Sequence, residues 1–437
     1  MSYIKSYGIA LPHFRIEDHV LHPKGKKGLM KGVCFSDEDI NTLAYESTCN
    51  IPMENIDAVF FATTTPVFQN RYHASFLADL VNLPQGILAL DFTASFRSAT
   101  DALLLANALI DSGKYKNILL VGSDVVFPEI GKEISTAFGH SACSILLSCE
   151  KGLAEITFAE SNSAALAEAF SYKNSDILND LRFSRDAGFK TNLTSSLKTL
   201  SSNPNSFDSV ILNSLYARMA GGIFLKAGFE EKQLAKDNIT TKIGNTGVSQ
   251  ALLLLIHELE NGKENILLAD YTNGTNLFEI KNIEPVTEKP LHEKLSNYSL
   301  IHSYQDYLLL RKAGDFNSLN FETKEMFSSE MMQEREKETL LYLKGLKCEK
   351  CNSVYYLKSA RCKKCKCTGF SVVQLEKTGV VYAFTNEHYF PCSFPPITMV
   401  VVDLDGGGRM TVQQTDTLYP EDNRLEIGTK VKLVLRK

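Results

Sequence analysis

Ser112-Gly113-Lys114-Tyr115-Lys116-Asn117-Ile118-Leu119-Leu120 is echoed about 150 residues later by Asn261-Gly262-Lys263-Glu264-Asn265-Ile266-Leu267-Leu268. In each copy a small residue, Gly and Lys close a helix, because Gly takes the left-handed conformation that ends one. Asn then opens an apolar run of the kind found in strands buried on both faces. Amphipathic helices precede both runs, over about Arg97–Ser112 and Ser249–Leu259. Further out, Ile56–Thr64 and Phe207–Ser214 share an Asp-x-Val core, Asp57/Val59 against Asp208/Val210. Gly86–Phe92 is matched by Asn238–Ile243 as a second strand, and a helix is expected over about Arg71–Val81. Cys143–Leu147 and Leu153–Phe158 read as a hairpin closing the first half. The pattern predicts an α/β fold in which one βαβαβ unit is duplicated, 1–165 and 166–320, and packed into layers.

The second strong signal is Cys348-x2-Cys351-x10-Cys362-x2-Cys365. Two Cys-x2-Cys knuckles supply the four soft ligands that tetrahedral zinc prefers. Four thiolates leave no open coordination position, so a zinc here holds structure and does no chemistry. Cys367 is a nearby extra thiol. Residues 347–372 are therefore read as a zinc ribbon, reached through a charged, Met-rich connecting helix over 321–346.

Beyond it, Val380–Phe384, Thr398–Leu404, Arg409–Gln414 and Lys430–Leu435 alternate as short strands without helices, which points to a small OB-like β-barrel over 373–437. Asp405-Gly406-Gly407-Gly408 fits a hairpin turn better than a phosphate cradle.

With 437 residues the chain can bury a large core. A net charge of -5 argues against a surface given over to nucleic acid. The Cys residues outside the quartet are scattered, which suits a reducing cytoplasm. MSYIKSYGIALPHFR lacks a secretory core, and the longest aliphatic run, Ala251–Ile256, is too short to span a bilayer, so no membrane role is expected.

Together these features resemble the thiolase superfamily, in its ketoacyl synthase III and 3-hydroxy-3-methylglutaryl-CoA synthase branch, fused to a zinc-ribbon and OB-fold domain. The matching residues are Ala62-Thr63-Thr64-Thr65-Pro66, Gly244-Asn245-Thr246, Ser303-Tyr304-x2-Tyr307-Leu308 with Arg311, and Pro395-Pro396 ahead of TMVVVDLD with Gly407 behind it. The resemblance implies a CoA thioester as substrate or ligand, bound near Gly244, Asn245 and Arg97. It also implies an acyl carrier protein or acyl-CoA as partner, and a homodimer or a complex with a thiolase or ketoacyl synthase.

The family's reaction needs a Cys nucleophile at a strand-to-helix elbow. In Asp91-Phe92-Thr93-Ala94-Ser95-Phe96-Arg97-Ser98-Ala99-Thr100 that position falls on Phe96, which cannot attack a thioester. The family's His falls on Asn213, which can hydrogen-bond a carbonyl but cannot carry a proton at neutral pH. The Glu of the methylglutaryl synthases falls at or near Thr64, and only Asn245 of the working positions is kept. Two readings of the elbow stay open. Ser95 either caps the helix or serves as a displaced nucleophile, with His140 as its base and Cys143 as a rival. His73, His257 and His302 call for no special role. Seven Lys/Arg against one acid in 347–370 suit CoA phosphates, an anionic thiolate cluster, or nucleic acid.

The expectation is an acyl-CoA-handling component of a condensing or acyltransferase complex whose own condensation site is degenerate. A self-sufficient acyltransferase using Ser95 and a non-catalytic zinc/OB scaffold are the alternatives.

Overall fold

The computed structural model describes residues 1–127, 138–166, 168, 170–172, 175–177, 181–311, 330–389, 394–419, 422 and 425–437. They fall into two compact units, Met1–Tyr304 and Gln305–Lys437.

The first unit is built on nine strands: β1 (Ser2–Ala10), β2 (Ala58–Thr63), β3 (Leu88–Thr93), β4 (Asn117–Val125), β5 (His140–Ser148), β6 (Ala154–Ser163), β7 (Ser209–Asn213), β8 (Asn265–Tyr271) and β9 (Gly274–Asn282). Their order across the sheet is β7-β8-β9-β6-β1-β5-β4-β2-β3. Four helices matter for the site: α1 (Ile40–Thr48), α2 (His73–Leu80), α3 (Ser98–Asp111) and α4 (Gln250–Glu260).

The duplication is visible in the pairing. β2 lies parallel to β4, with Ala58 opposite Ile118, and β4 antiparallel to β5. In the second copy β7 lies parallel to β8, with Ser209 opposite Ile266, and β8 antiparallel to β9. The two halves join where β6 pairs antiparallel with β9, Ser163 opposite Gly274 and Ala154 opposite Asn282. Ala99, Ala102, Leu103 and Ala106 of α3 share one core with Leu252, Leu255 and Ile256 of α4 and with both sheet halves. All eleven residues of α4 are buried, which makes it a central layer, as its aliphatic run requires. Outer layers cover each half: Ile40, Ala44, Ala74 and Leu77 on one, Phe189, Leu193 and Phe224 on the other.

Two sequence expectations are corrected. β5 and β6 do not form a hairpin, because β1 lies between them and pairs antiparallel with both. The Cys149–Leu153 connection carries the chain past the start of β1, a long-range partner that local patterning cannot reveal. Asn238–Ile243 is not a strand either: Thr240–Ile243 is a short helix. The Asp237 carboxylate accepts from the N–H groups of Ile239 and Thr240, and this start signal overrides the β-branched run. The second copy keeps its edge strand only as a single parallel bridge between Leu234 and Val210.

In the second unit, Glu330–Leu340 is the described part of the connecting helix; 321–329 lie outside the described residues. Strands β10 (Lys344–Cys348), β11 (Val354–Tyr355) and β12 (Phe370–Gln374) form a small sheet with β10 in the middle. A second sheet has the order β15-β14-β13-β16, from β13 (Thr378–Glu387), β14 (Ile397–Leu404), β15 (Arg409–Gln413) and β16 (Lys430–Lys432). Asp405–Gly408 is the turn between β14 and β15, where three consecutive glycines hold positive φ. Leu343, Val354 and Leu375 from around the small sheet pack with Val381, Val400 and Leu404 of the larger one.

Candidate functional site

At the elbow, β3 turns into α3 through Ala94-Ser95-Phe96-Arg97, and Ala94 takes φ +76°, a conformation uncommon outside glycine. The Ser95 hydroxyl accepts from the Arg97 N–H (3.2 Å), while the Ser95 N–H donates to the Ser98 hydroxyl (3.3 Å). This exchange ties the first turn of α3 to the elbow. The Phe96 ring stacks on Phe138 at 5.4 Å. Arg97 turns inward: it donates to the Asn162 carbonyl (2.8 Å) and the Ser163 hydroxyl (3.0 Å) and sits 3.1 Å from Asp101. Its charge is engaged within the fold.

His140, at the start of β5, is buried. Its Nδ1 accepts from the Cys34 N–H (2.9 Å), so the ring proton is on Nε2, which donates to the Val126 carbonyl (3.2 Å). Both nitrogens are used, and the described residues show no hydrogen bond between His140 and Ser95. Cys143 is fully buried, and burial pushes its thiol far above the usual range, which leaves it inert. His73 proves to be a clamp: Nδ1 lies 2.8 Å from Asp91, and Nε2 accepts from the N–H groups of Val67 and Phe68.

Asn213 and Asn245 are brought together with Gly244 in the wall of a cleft of about 690 Å³ that Lys31 and Arg218 also line. Among the described residues, Ser95, Phe96 and His140 are not part of that wall. Asn245 Oδ1 accepts from the Gly247 N–H (2.9 Å), which leaves its Nδ2 for a ligand. Lys31 is buried beside Asp18 (3.5 Å); desolvation outweighs that carboxylate and lowers its ammonium to about 8. Arg218 is exposed.

Two buried carboxylates support the cleft, and sequence reasoning passed over both. Asp124, near the end of β4, accepts from the hydroxyls of Thr63, Thr64 and Thr65 and from the N–H groups of Thr64 and Val248. It thereby binds the Thr-rich loop after β2 to the Gly-Asn-Thr turn. Thr64 spends its hydroxyl on this link. Asp270, near the end of β8, is fully buried and accepts from Asn213 Nδ2 (2.9 Å) and the Thr100 hydroxyl (2.6 Å). Burial raises Asp270 to about 7, against the lowering effect of those two bonds and of Arg97. The signal was present in the sequence: both Asn-Ile-Leu-Leu strands run into an Asp, and a carboxylate in a buried strand needs partners.

The sign of the Asp270 shift gives a prediction. A carboxyl raised on folding binds more protons folded than unfolded, so its contribution to stability falls as pH rises from about 4 to about 7. Asp270→Asn removes the ionisation and keeps the shape. Thr100 can redirect its proton to the Arg97 carbonyl, 3.0 Å away. The variant is expected to melt at or above the wild-type temperature at pH 8, with the advantage shrinking towards pH 5, by calorimetry across that range.

In the second unit the sulfurs of Cys348, Cys351, Cys362 and Cys365 all lie within 4.8 Å of one another. Two pairs are 3.4 and 3.5 Å apart. Four sulfurs about 2.3 Å from a central zinc would stand roughly 3.8 Å apart, so the set fits a tetrahedral metal ion. Asn352 and Lys366, each one past a knuckle's second Cys, both adopt positive φ, so the two knuckles share a backbone design. Cys367 stands outside the set and accepts from the Gly369 N–H.

Comparison with known proteins agrees with this architecture. The family model of 3-oxoacyl-[acyl-carrier-protein] synthase III matches residues 90–164, and that of the ChsH2 C-terminal OB-fold domain matches 372–436. The hydroxymethylglutaryl-CoA synthase of Thermoplasma acidophilum is 21% identical over 346 residues, 71% of this chain and 99% of the relative. A crystal structure of HMG-CoA synthase complexed with CoA superposes with a TM-score of 0.62 at 18% identity, covering 70% of this chain and 89% of that one. The 3-oxoacyl-[acyl-carrier-protein] synthase III of Aquifex aeolicus VF5 gives 0.58 at 17%, covering 64% and 100%. The chain has the thiolase-like fold of these synthases, with an OB-fold domain at its C-terminal end.

Proposed function

We propose that the chain binds acyl thioesters of CoA in the Asn213–Asn245 cleft without forming a covalent intermediate. It would act as one component of a condensing or acyltransferase complex whose nucleophile comes from a thiolase or ketoacyl synthase partner. The observation that carries this reading is the separation of cleft and elbow. The cleft is lined by two asparagines, while the elbow holds Phe96 packed on Phe138. Amides can hold a thioester carbonyl, and the cations Lys31 and Arg218 suit a phosphate-bearing ligand. A four-thiolate zinc would hold the ribbon together. The Lys and Arg residues around it suit the same anionic ligand or offset the cluster's own charge.

β3 is the outer strand of the large sheet among the described residues, and that position supports a dimer formed by strand pairing. No described helix is long and apolar enough to cross a membrane.

The test is titration calorimetry with acetyl-CoA. Saturable binding is expected, weakened roughly tenfold by Arg218→Ala with a shallower salt dependence, as for loss of one charged hydrogen bond. No binding by the wild type would remove the reading. Phe96→Cys alone is expected to leave condensation absent in an acetoacetyl-CoA assay, because Asn213 still cannot carry a proton.

A further inference from the structure

The polar groups behind the cleft form a chain that the synthase resemblance does not explain. Asn213, on β7, lines the cleft and commits one N–H of its amide to Asp270 on the neighbouring strand β8. Asp270 holds the Thr100 hydroxyl with its other oxygen, and Thr100 lies in the first turn of α3, just past the elbow. Asn276, opposite Asp270 on β9, donates to Thr100 (2.9 Å) and to Asp101 (2.8 Å), and Asp101 lies beside Arg97. The charged groups acting on Asp270 are Arg97 at the elbow and Asp101 on α3; β7 offers it the neutral amide of Asn213, and β9 places the neutral Asn276 opposite it. No cation is hydrogen-bonded to it among the described residues.

We infer that Asp270 is a positioning residue: it fixes the Asn213 amide so that the second N–H is presented to the carbonyl oxygen of a bound acyl thioester. A carboxylate accepts strongly from one N–H and so resists rotation of the amide, which holds the second N–H in one direction. A protonated Asp270 accepts more weakly and frees the amide to rotate. Recognition of the thioester carbonyl is thus tied to the ionisation of a group outside the cleft. This rests on the acyl-thioester reading of the cleft, and it separates the acyl end of the ligand from the phosphates.

The experiment compares acetyl-CoA with S-ethyl-CoA, a thioether that keeps the nucleotide and pantetheine but lacks the carbonyl. Kd values are measured for both from pH 6 to pH 8, and their ratio cancels the titration of Lys31 and of the phosphates. In the wild type the preference for acetyl-CoA should rise about fivefold over that range, the scale of one hydrogen bond gained by orienting the amide. Asp270→Asn should bind both ligands with a preference that does not change with pH, and Asn213→Ala should show no preference at any pH. A flat wild-type ratio, or a step that persists in Asp270→Asn, overturns the inference while leaving acyl-CoA binding intact. Failure of both ligands to bind at any pH removes the cleft's function and the inference with it, a result distinct from a flat ratio. The wild-type profile decides the matter even if a variant does not fold.

Discussion

Removing metal from the Cys348–Cys365 site, or replacing Cys362 with Ser, is expected to unfold the small sheet of the second unit. Its strands have five, two and five residues, too short to stand alone in water. Among the described residues the ribbon shares a small apolar core with the larger sheet, through Leu343, Val354 and Leu375. Structural zinc in a small knuckle supplies on the order of 10 kcal/mol of folding free energy, much of which the four thiolates would lose without the ion. The shared Leu343–Leu375 core will retain part of the fold, so a loss of about 5 kcal/mol is the expected scale. The measurement is metal content of purified protein, expected at one zinc per chain, followed by limited proteolysis with and without a chelator. Rapid cleavage near exposed Arg361 and Lys363 should follow chelation, with the first unit left whole. Protein that is metal-free as isolated and equally resistant to protease would remove the ion from the account.

Gly247→Ala is the second large effect. Gly247 has φ +64°, and a Cβ built there would stand 2.1 Å from Asp124 Oδ2. The clash cannot be relieved cheaply, because that oxygen accepts from the Thr64 hydroxyl and the Val248 N–H. Moving Asp124 would strand donors in a fully buried site, and each unsatisfied group costs about 1 to 3 kcal/mol. The expected loss is roughly 4 kcal/mol, with weakened acyl-CoA binding because the Gly-Asn-Thr turn moves too. Gly262→Ala is a matched control. Its φ is +73°, yet nothing lies within 4 Å of the built Cβ, so only the backbone penalty of about 1 kcal/mol applies. Equal melting temperatures for the two variants would show that Asp124 is not the constraint described here.

Much of the fold was legible because its signals are local. The apolar runs at Asn117 and Asn265, the helices before them and the Gly turns between them are set by side-chain periodicity and left-handed glycine. The Cys quartet was legible because ligand spacing is itself the geometry. What escaped notice depends on distant partners. β1 enters between β5 and β6, and no pattern within residues 143–158 announces it. Asp237 converts a β-branched stretch into a helical turn. Of the candidate site, Asn213 and Asn245 could be named from motif positions alone. Asp270 and Asp124 gave a weaker signal, an Asp late in each Asn-Ile-Leu-Leu strand, and their partners, which come from remote segments, could not be named. That the elbow carries an aromatic ring at Phe96 could be read from the sequence, while its stacking on Phe138 could not. The fates of Arg97 and His140 required knowing which carbonyls and N–H groups meet them in the folded chain.

The most direct test of the central claim is mass spectrometry of the chain with acetyl-CoA, under native and then denaturing conditions. The account predicts a native complex of protein with acetyl-CoA and, after denaturation, a chain of unmodified mass. An acetyl group that survives denaturation and maps to Ser95 would contradict it and make the chain an acyltransferase in its own right.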